Sequence, residues 1–403
     1  MKALFKIFTM LAAVTFMAAC EGDSVGKGGF SVAADGIVLI FDKSVIQANG
    51  DDPVTFKAYY NGVDVSDDAS FYVDNNGWKP IKNRMFVADK VGKYSFQAAY
   101  NRNIKSEVVY VDAISREIPE ALTDPKPGST SFVHRSFFNQ YTGATCIWCP
   151  YMTHLLNKTM KDGYEDKVVL VSILSAESGF EQISNPSGSL PYLYIDNSTD
   201  YDHQLATDVA VDRLRAKIDD IVSQSAKVGI AASSKYYDDG QIIVRVTVKA
   251  AVTGEYNVGL WLLQDDIYIP QDFKQPNDNT ALDGTWKPHD DKNPYNFHHN
   301  CLRLAASRYL GAQVGYPLGK LETGQTAEWI FLMQAQVGSE DVNGDGEANV
   351  GDSWWKTKGQ INLDNLHFAA FVTTPVHTSK GLNYQVVNAV GFDYDESFEL
   401  EYL

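Results

Sequence analysis

The stretch Thr142-Gly-Ala-Thr-Cys146-Ile-Trp-Cys149-Pro150 sets two thiols three residues apart. A strand-like run, Ser131 to Phe138, precedes it, and a helix-like run, Tyr151 to Met160, follows. A thiol at a helix N-terminus meets the positive end of the helix dipole and unpaired backbone N–H groups, which favour its thiolate. The thiolate is the nucleophile in disulfide exchange, and a second sulfur within reach resolves the mixed disulfide. On this chemistry Cys146, at the helix start, attacks and Cys149 resolves. Two other readings compete. As a structural staple the pair closes only a four-residue loop, a gain of about 2 kcal/mol. As half a zinc site it lacks a second Cys or His pair nearby.

A second constellation is Asp341-Val-Asn343-Gly-Asp345-Gly346-Glu347-Ala-Asn349-Val-Gly-Asp352. Its oxygen-bearing residues fall at positions 1, 3, 5, 9 and 12 of a calcium loop, with glycine at the sharp turn and the Glu347 carbonyl as backbone ligand. Aspartate at position 12 resembles the dockerin variant. The competing reading is a solvated acidic hairpin. The flanks read as strand and loop, so calcium here would be structural, fastening an insertion. His298 and His299 with Asp290 and Asp291 form a weaker metal candidate, because adjacent strand residues point to opposite faces. Cys301 reads as a small buried hydrophobe, and His154 is poorly placed as a base for Cys149.

The elements that must position these groups alternate along the chain. Residues 31–112 carry short strand candidates at Ile37–Phe41, Val54–Tyr59, Phe71–Val73, Tyr94–Tyr100 and Val108–Val111, separated by Asn-Gly and Gly turns. They resemble a bacterial immunoglobulin-like β-sandwich, a module most often used as a spacer. Residues 113–130, with three prolines, read as a linker. Residues 131–227 alternate strand and helix signals: Lys167–Leu174 as a buried strand, Pro191 opening the strand to Ile195, and an amphipathic helix from Gln204 to Val222. Residues 228–403 return to strands, read as a C-terminal β-sandwich whose second insertion carries the calcium loop. The expected class is therefore multidomain α+β, with an α/β domain between two sandwiches.

Charge and targeting bound the partners. The 403 residues carry 51 acidic and 34 basic side chains, a net charge of −17. Nucleic acid and anionic membrane surfaces repel such a chain, so no nucleic-acid partner is expected. Residues 1–19 read as a signal peptide: Lys2 and Lys6, then an apolar core from Ile7 to Phe16 too short to span a bilayer. Met17-Ala-Ala-Cys20 resembles a bacterial lipobox, which implies cleavage before Cys20 and acylation of that residue. Residues 20–30 then form a lipidated, Gly-rich tether. Glu21-Gly-Asp23 resembles the acidic surface-export tag of some Gram-negative lipoproteins. The expected location is the outer membrane, lipid-anchored at Cys20 and displayed on the cell surface.

Two resemblances go further. A Cys-x-x-Cys at a strand-to-helix turn is the thioredoxin arrangement, and Leu190-Pro191 resembles the cis-proline strand that backs the redox pair in those proteins. This implies a thioredoxin-like domain at 131–227, with Pro191 aligning the incoming strand. One departure stands out: where thioredoxins place a buried acid before the first cysteine, this chain has Gln140, which takes no proton. The run Phe138 to Pro150, with His298-His-Asn-Cys-Leu-Arg303 and Asn365 to Val372, is similar to lipoproteins related to outer membrane protein twenty-eight. That likeness covers roughly residues 130–403 and implies an envelope location without fixing a reaction. Two functions follow: a surface protein binding a protein or glycan ligand, or a thiol–disulfide oxidoreductase acting through Cys146 and Cys149.

Overall fold

The computed structural model describes residues 36–74, 77–175, 180–201, 205–273, 282–284, 286, 290, 292–306, 311–334, 365–379 and 381–403. Cys20, the signal and tether segments, and the calcium-loop residues Asp341, Asn343, Asp345, Glu347, Asn349 and Asp352 lie outside them.

Strand alternation builds the N-terminal module. In Val54–Tyr60, the side chains of Val54, Phe56 and Ala58 are fully buried while Thr55 and Lys57 face outward. This strand pairs antiparallel with Ile37–Phe41. Against that sheet lies a second, ordered Val45–Gln47, Val109–Ile114, Gly92–Tyr100, Ser70–Asp74, Trp78–Pro80. Phe56 and Phe96, with ring centroids 4.6 Å apart, join the two faces.

The expected multidomain α+β class, with a separate thioredoxin-like domain at 131–227, is overturned. Among the described residues the chain is mostly β, 48% strand against 11% helix, with two α-helices. The strands assigned to that domain belong to a nine-stranded sheet shared with the C-terminal region. Ser136–Thr142 pairs parallel with Val168–Leu174 and antiparallel with Tyr192–Ile195. Val168–Leu174 then pairs with Cys301–Ala305 through Ser172 and Cys301. Beyond these run Gly254–Gln264, Leu366–Thr378 and Gly381–Asp393. A four-stranded sheet, Thr326–Gln334, Gln241–Ala250, Val228–Tyr236 and Ser397–Phe398, packs against it. The β-sandwich part of the expectation fits.

Helix α1 (Cys149–Thr159) crosses between the two parallel strands, and α2 (Asp208–Val222) packs beside it. Both bury a stripe of apolar residues against Phe138 and Leu193: Met152, Leu155 and Leu156 from α1, Ala210, Leu214 and Ile218 from α2. Helix α2 starts four residues later than the apolar periodicity suggests. Thr207 caps it, accepting from the Ala210 N–H, and Leu205 stays outside the helix, 45% exposed. The opposite face of the sheet is aromatic. Phe137 stacks on Phe371 at 4.9 Å, with Trp261 beside them.

The modules are not separate bodies. One apolar core includes Phe56 and Val111 of the first sandwich and Val246, Leu260 and Phe368 of the second. Residues 113–130, read as a linker, lie along the C-terminal sandwich. Arg245 donates to the Pro119 carbonyl at 2.7 Å, and Ser233 to the Glu120 carbonyl at 2.7 Å. Lys249, only 1% exposed, pairs with Asp124 at 2.7 Å and donates to the Pro127 carbonyl. Residues 401–403 then close on 131–133: the Val133 N–H donates to the Glu401 carbonyl, and the Leu403 N–H to the Ser131 carbonyl.

Candidate disulfide site and an intermodule groove

The strand Ser136–Thr142 is buried on both faces and ends at Gly143. A Cβ on Gly143 would sit 3.3 Å from Leu190 Cδ1 and 3.4 Å from the Ser175 carbonyl oxygen. The loop therefore packs directly on the residue before Pro191, and the Leu190–Pro191 bond is cis. Pro150 opens α1, where a missing N–H costs nothing. Cys146 and Cys149 are joined as a disulfide. Their exposures differ: Cys149 is fully buried and Cys146 is half-buried, so an incoming thiolate meets Cys146 first.

A neutral network ties the strand Ser136–Thr142 to α1 and to Val168–Leu174. Gln140, 2% exposed, donates to Thr153 Oγ1 at 2.8 Å and accepts from Ser172 Oγ at 3.4 Å. None of the three titrates near neutrality, so this network holds no proton for the pair. His154 is turned elsewhere: its Nδ1 lies 2.8 Å from the Tyr295 hydroxyl, and its Nε2 3.4 Å from Asp283. Burial lowers its pKa, and the Asp283 carboxylate opposes that. Trp148 packs against Tyr151, ring centroids 5.5 Å apart, at the edge of a cluster with Phe273, Leu282 and Tyr295.

That cluster belongs to the polar insertion 265–300, which docks on the disulfide loop. The side-chain amide of Gln271 donates to the carbonyls of Ala144 at 2.9 Å, Cys146 at 3.1 Å and Gly143 at 3.3 Å. The Asp272 N–H donates to the Ala144 carbonyl at 2.8 Å. Sequence reasoning missed Gln271, because a lone glutamine in an aperiodic insertion carries no pattern. The same region holds Cys301, fully buried beside Ala144, Leu174 and Ile269; burial pushes its thiol pKa far up.

The histidine pair diverges. His298 Nε2 meets the Ile269 carbonyl at 3.2 Å, and burial pushes its pKa down to about 4. His299 faces Asp266 at 3.4 Å. Asp291 lies outside the described residues, and no group of three or more His, Cys, Asp or Glu is arranged to hold a metal among the described residues.

A different site opens between the sandwiches. A groove of about 850 Å³ runs between Ile37–Phe41 and Val54–Tyr60 on one side and Tyr316–Leu321 and Thr326–Gln334 on the other. Lys57, Arg84 and Lys320 line it together with the carboxylates Asp42, Asp64, Asp67 and Glu328, with Phe41 and Trp329 in its wall. Trp329 is 1% exposed, and its indole N–H has no hydrogen-bond partner among the described residues. By contrast, the buried indole of Trp261 donates to the Ala312 carbonyl at 3.0 Å. An unpaired buried donor is uncommon in a native structure.

No family model matches the chain, and no curated protein matches it. Two solved structures share a distant likeness. HBP35 of Porphyromonas gingivalis aligns with a TM-score of 0.44 and 10% identity, over 67% of this chain and 78% of that one. Protein AGR_C_4864 from Agrobacterium tumefaciens aligns with a TM-score of 0.34 and 14% identity, over 67% of this chain and 99% of that one. Neither likeness is close enough to transfer a fold name or an activity.

Proposed function

We propose that this chain is a lipid-anchored outer-membrane protein of the cell surface that binds a protein or glycan ligand in the groove between its two sandwiches. The observation that carries the binding reading is the groove itself, about 850 Å³ and lined by residues of both sandwiches. The lining sets Lys57, Arg84 and Lys320 beside the carboxylates Asp42, Asp64, Asp67 and Glu328, a mixed polar surface that offers both donors and acceptors to hydroxyl or peptide groups. The anchor and location rest on the lipobox-like Met17–Cys20 and the acidic residues after it. Kinship with the lipoproteins related to outer membrane protein twenty-eight rests on the sequence motifs alone.

The test is a panel of oligosaccharides and extended peptides screened against the soluble chain from residue 21 by thermal shift and calorimetry. A true groove ligand binds at least tenfold more weakly to Arg84→Ala/Asp67→Ala and to Lys57→Ala/Lys320→Ala, while both variants keep the unliganded Tm within a few degrees. Ligands indifferent to those changes would remove the groove from the argument. Labelled palmitate incorporation that survives Cys20→Ala, or a protein untouched when intact cells are treated with protease, would remove the anchor or the surface location. Structural calcium at Asp341 to Asp352 belongs to the same proposal. Calorimetric binding that persists in Asp345→Ala/Asp352→Ala would refute it.

The asymmetric exposure of Cys146 and Cys149 favours a second reading, a thiol–disulfide oxidoreductase. A reduction potential between about −120 and −270 mV would place the pair among exchange catalysts, and one below about −300 mV among inert bonds.

A further inference from the structure

We infer that Gln271 is a positioning residue for the disulfide: it holds the Gly143–Cys146 loop in the ring-closing conformation and so sets the reduction potential of the pair. The inference is independent of the groove. A primary amide carries two N–H donors, yet four carbonyls lie within 3.3 Å of Gln271 Nε2: those of Gly143, Ala144, Cys146 and Asp272. Three of the four belong to the disulfide loop. The side chain is 2% exposed, so water does not compete for these carbonyls.

The clamp is itself held. The Gln271 N–H donates to Asn296 Oδ1 at 2.9 Å, and Asn293 Nδ2 donates to the same oxygen at 3.0 Å. Asn293 and Asn296 are both fully buried. The Ile269 N–H donates to the Asn296 carbonyl at 2.8 Å. The insertion thus presents a fixed donor to the loop from more than a hundred residues away in sequence. On the other side Cys149 is fixed by α1. The two sulfurs are therefore kept near each other by contacts that survive reduction of the bond between them.

That has a thermodynamic consequence. Reduction by two glutathione molecules breaks the Cys146–Cys149 bond. Two electrons and two protons pass to the protein, which gains two thiols, and one glutathione disulfide forms. The equilibrium depends on the effective concentration of the two protein thiols, which falls as the reduced loop gains conformations. Without the Gln271 amide the reduced loop is freer, ring closure is less favoured, and the potential becomes less negative. The expected change is about tenfold in the equilibrium constant, the order that one or two lost hydrogen bonds produce. For a two-electron couple that is about 30 mV.

The experiment equilibrates the chain from residue 21 onward with glutathione redox buffers and traps the thiols for mass spectrometry. Gln271→Met keeps the volume and removes the donors, and Lys249→Met lowers stability at a distance from the site. The inference requires the potential of Gln271→Met to rise at least threefold in equilibrium constant, with Lys249→Met unmoved although its Tm falls. An unchanged or more negative potential in Gln271→Met, or an equal rise in Lys249→Met, would overturn it. If Gln271→Met does not fold, the wild-type protein still decides. Coupling is reciprocal, so reduction must speed amide exchange at Asp272, whose N–H bonds the loop at Ala144. Equal exchange in the two redox states would overturn the inference.

Discussion

The ring of Phe41 lies 5.7 Å from the indole of Trp329, joining the first strand of the N-terminal sandwich to an edge strand of the C-terminal one. A module whose composition reads as a spacer is therefore built into a common core. Truncating Phe41 to alanine opens a cavity on both sides of the junction and should cost roughly 3–5 kcal/mol. Urea denaturation should show one transition for both modules, shifted to lower denaturant. Two transitions, with only the first shifted, would mean that the sandwiches fold apart.

Lys249 and Asp124 form the most enclosed ion pair of the 113–130 segment among the described residues, with Tyr402 also donating to the carboxylate. Burial works against the Asp124 carboxylate, but the hydrogen bonds from Lys249 and Tyr402 prevail and lower its pKa. Removing one partner of such a pair is costly because the other charge is stranded. Asp124→Ala, which leaves the ammonium buried, should lose roughly 3–5 kcal/mol. The double variant Asp124→Ala/Lys249→Met should recover part of that loss in the same urea titration. A double variant weaker than Asp124→Ala would contradict the stranded-charge account.

Asp196 is buried at the end of the strand Tyr192–Ile195, where it accepts from the Phe137 N–H at 2.6 Å and from Ser136 Oγ. Burial outweighs these donors and pushes its pKa up to about 6. With the folded value above the unfolded one near 3.9, the folded state favours the protonated carboxyl. This contribution is fully present below about pH 4 and is lost as pH rises through about 6. The difference, about 2 pH units, corresponds to roughly 3 kcal/mol. Folding stability of wild type minus that of Asp196→Asn, followed from pH 4 to 7, should decline across this window. A flat difference would show that the carboxyl ionises freely.

His298 should stay neutral far below the usual imidazole range, because burial holds its pKa down to about 4. Its ring resonances in an NMR titration should not move between pH 7 and 5. A midpoint near 6.5 would contradict the burial described for it.

After reduction, Cys146 should react with iodoacetamide at least tenfold faster than Cys149 or Cys301, both fully buried. Peptide mapping after short exposure reads the order directly. Equal labelling of Cys146 and Cys149 would mean that the helix start opens when the disulfide is broken.

Local pattern made much of this legible. The expected strands Ile37–Phe41, Val54–Tyr59 and Tyr94–Tyr100 fall within observed strands to within two residues, because alternation is a property of the segment itself. The Cys-x-x-Cys lies at a strand-to-helix turn, as Pro150 and the apolar stripe of α1 suggest. What local pattern could not carry was assembly. A single pairing, Ser172 with Cys301, fuses the strands around the disulfide into the C-terminal sheet, and no periodicity encodes a contact across 129 positions. Gln271 and the residues Glu120, Asp124 and Pro127 of the 113–130 segment were invisible for the same reason: polar groups in irregular chain acquire a role only from what they meet.

The pairing of residues 401–403 with 131–133 also imposes an order in time. Ribosomes add about 5–20 residues per second, so Tyr402 emerges roughly 15–50 s after its bridge partner Phe132. Until then the segment entering the disulfide strand has no edge to close against, and Asp124 lacks the Tyr402 hydroxyl. The disulfide region therefore waits, unlatched, until residues 401–403 reach it.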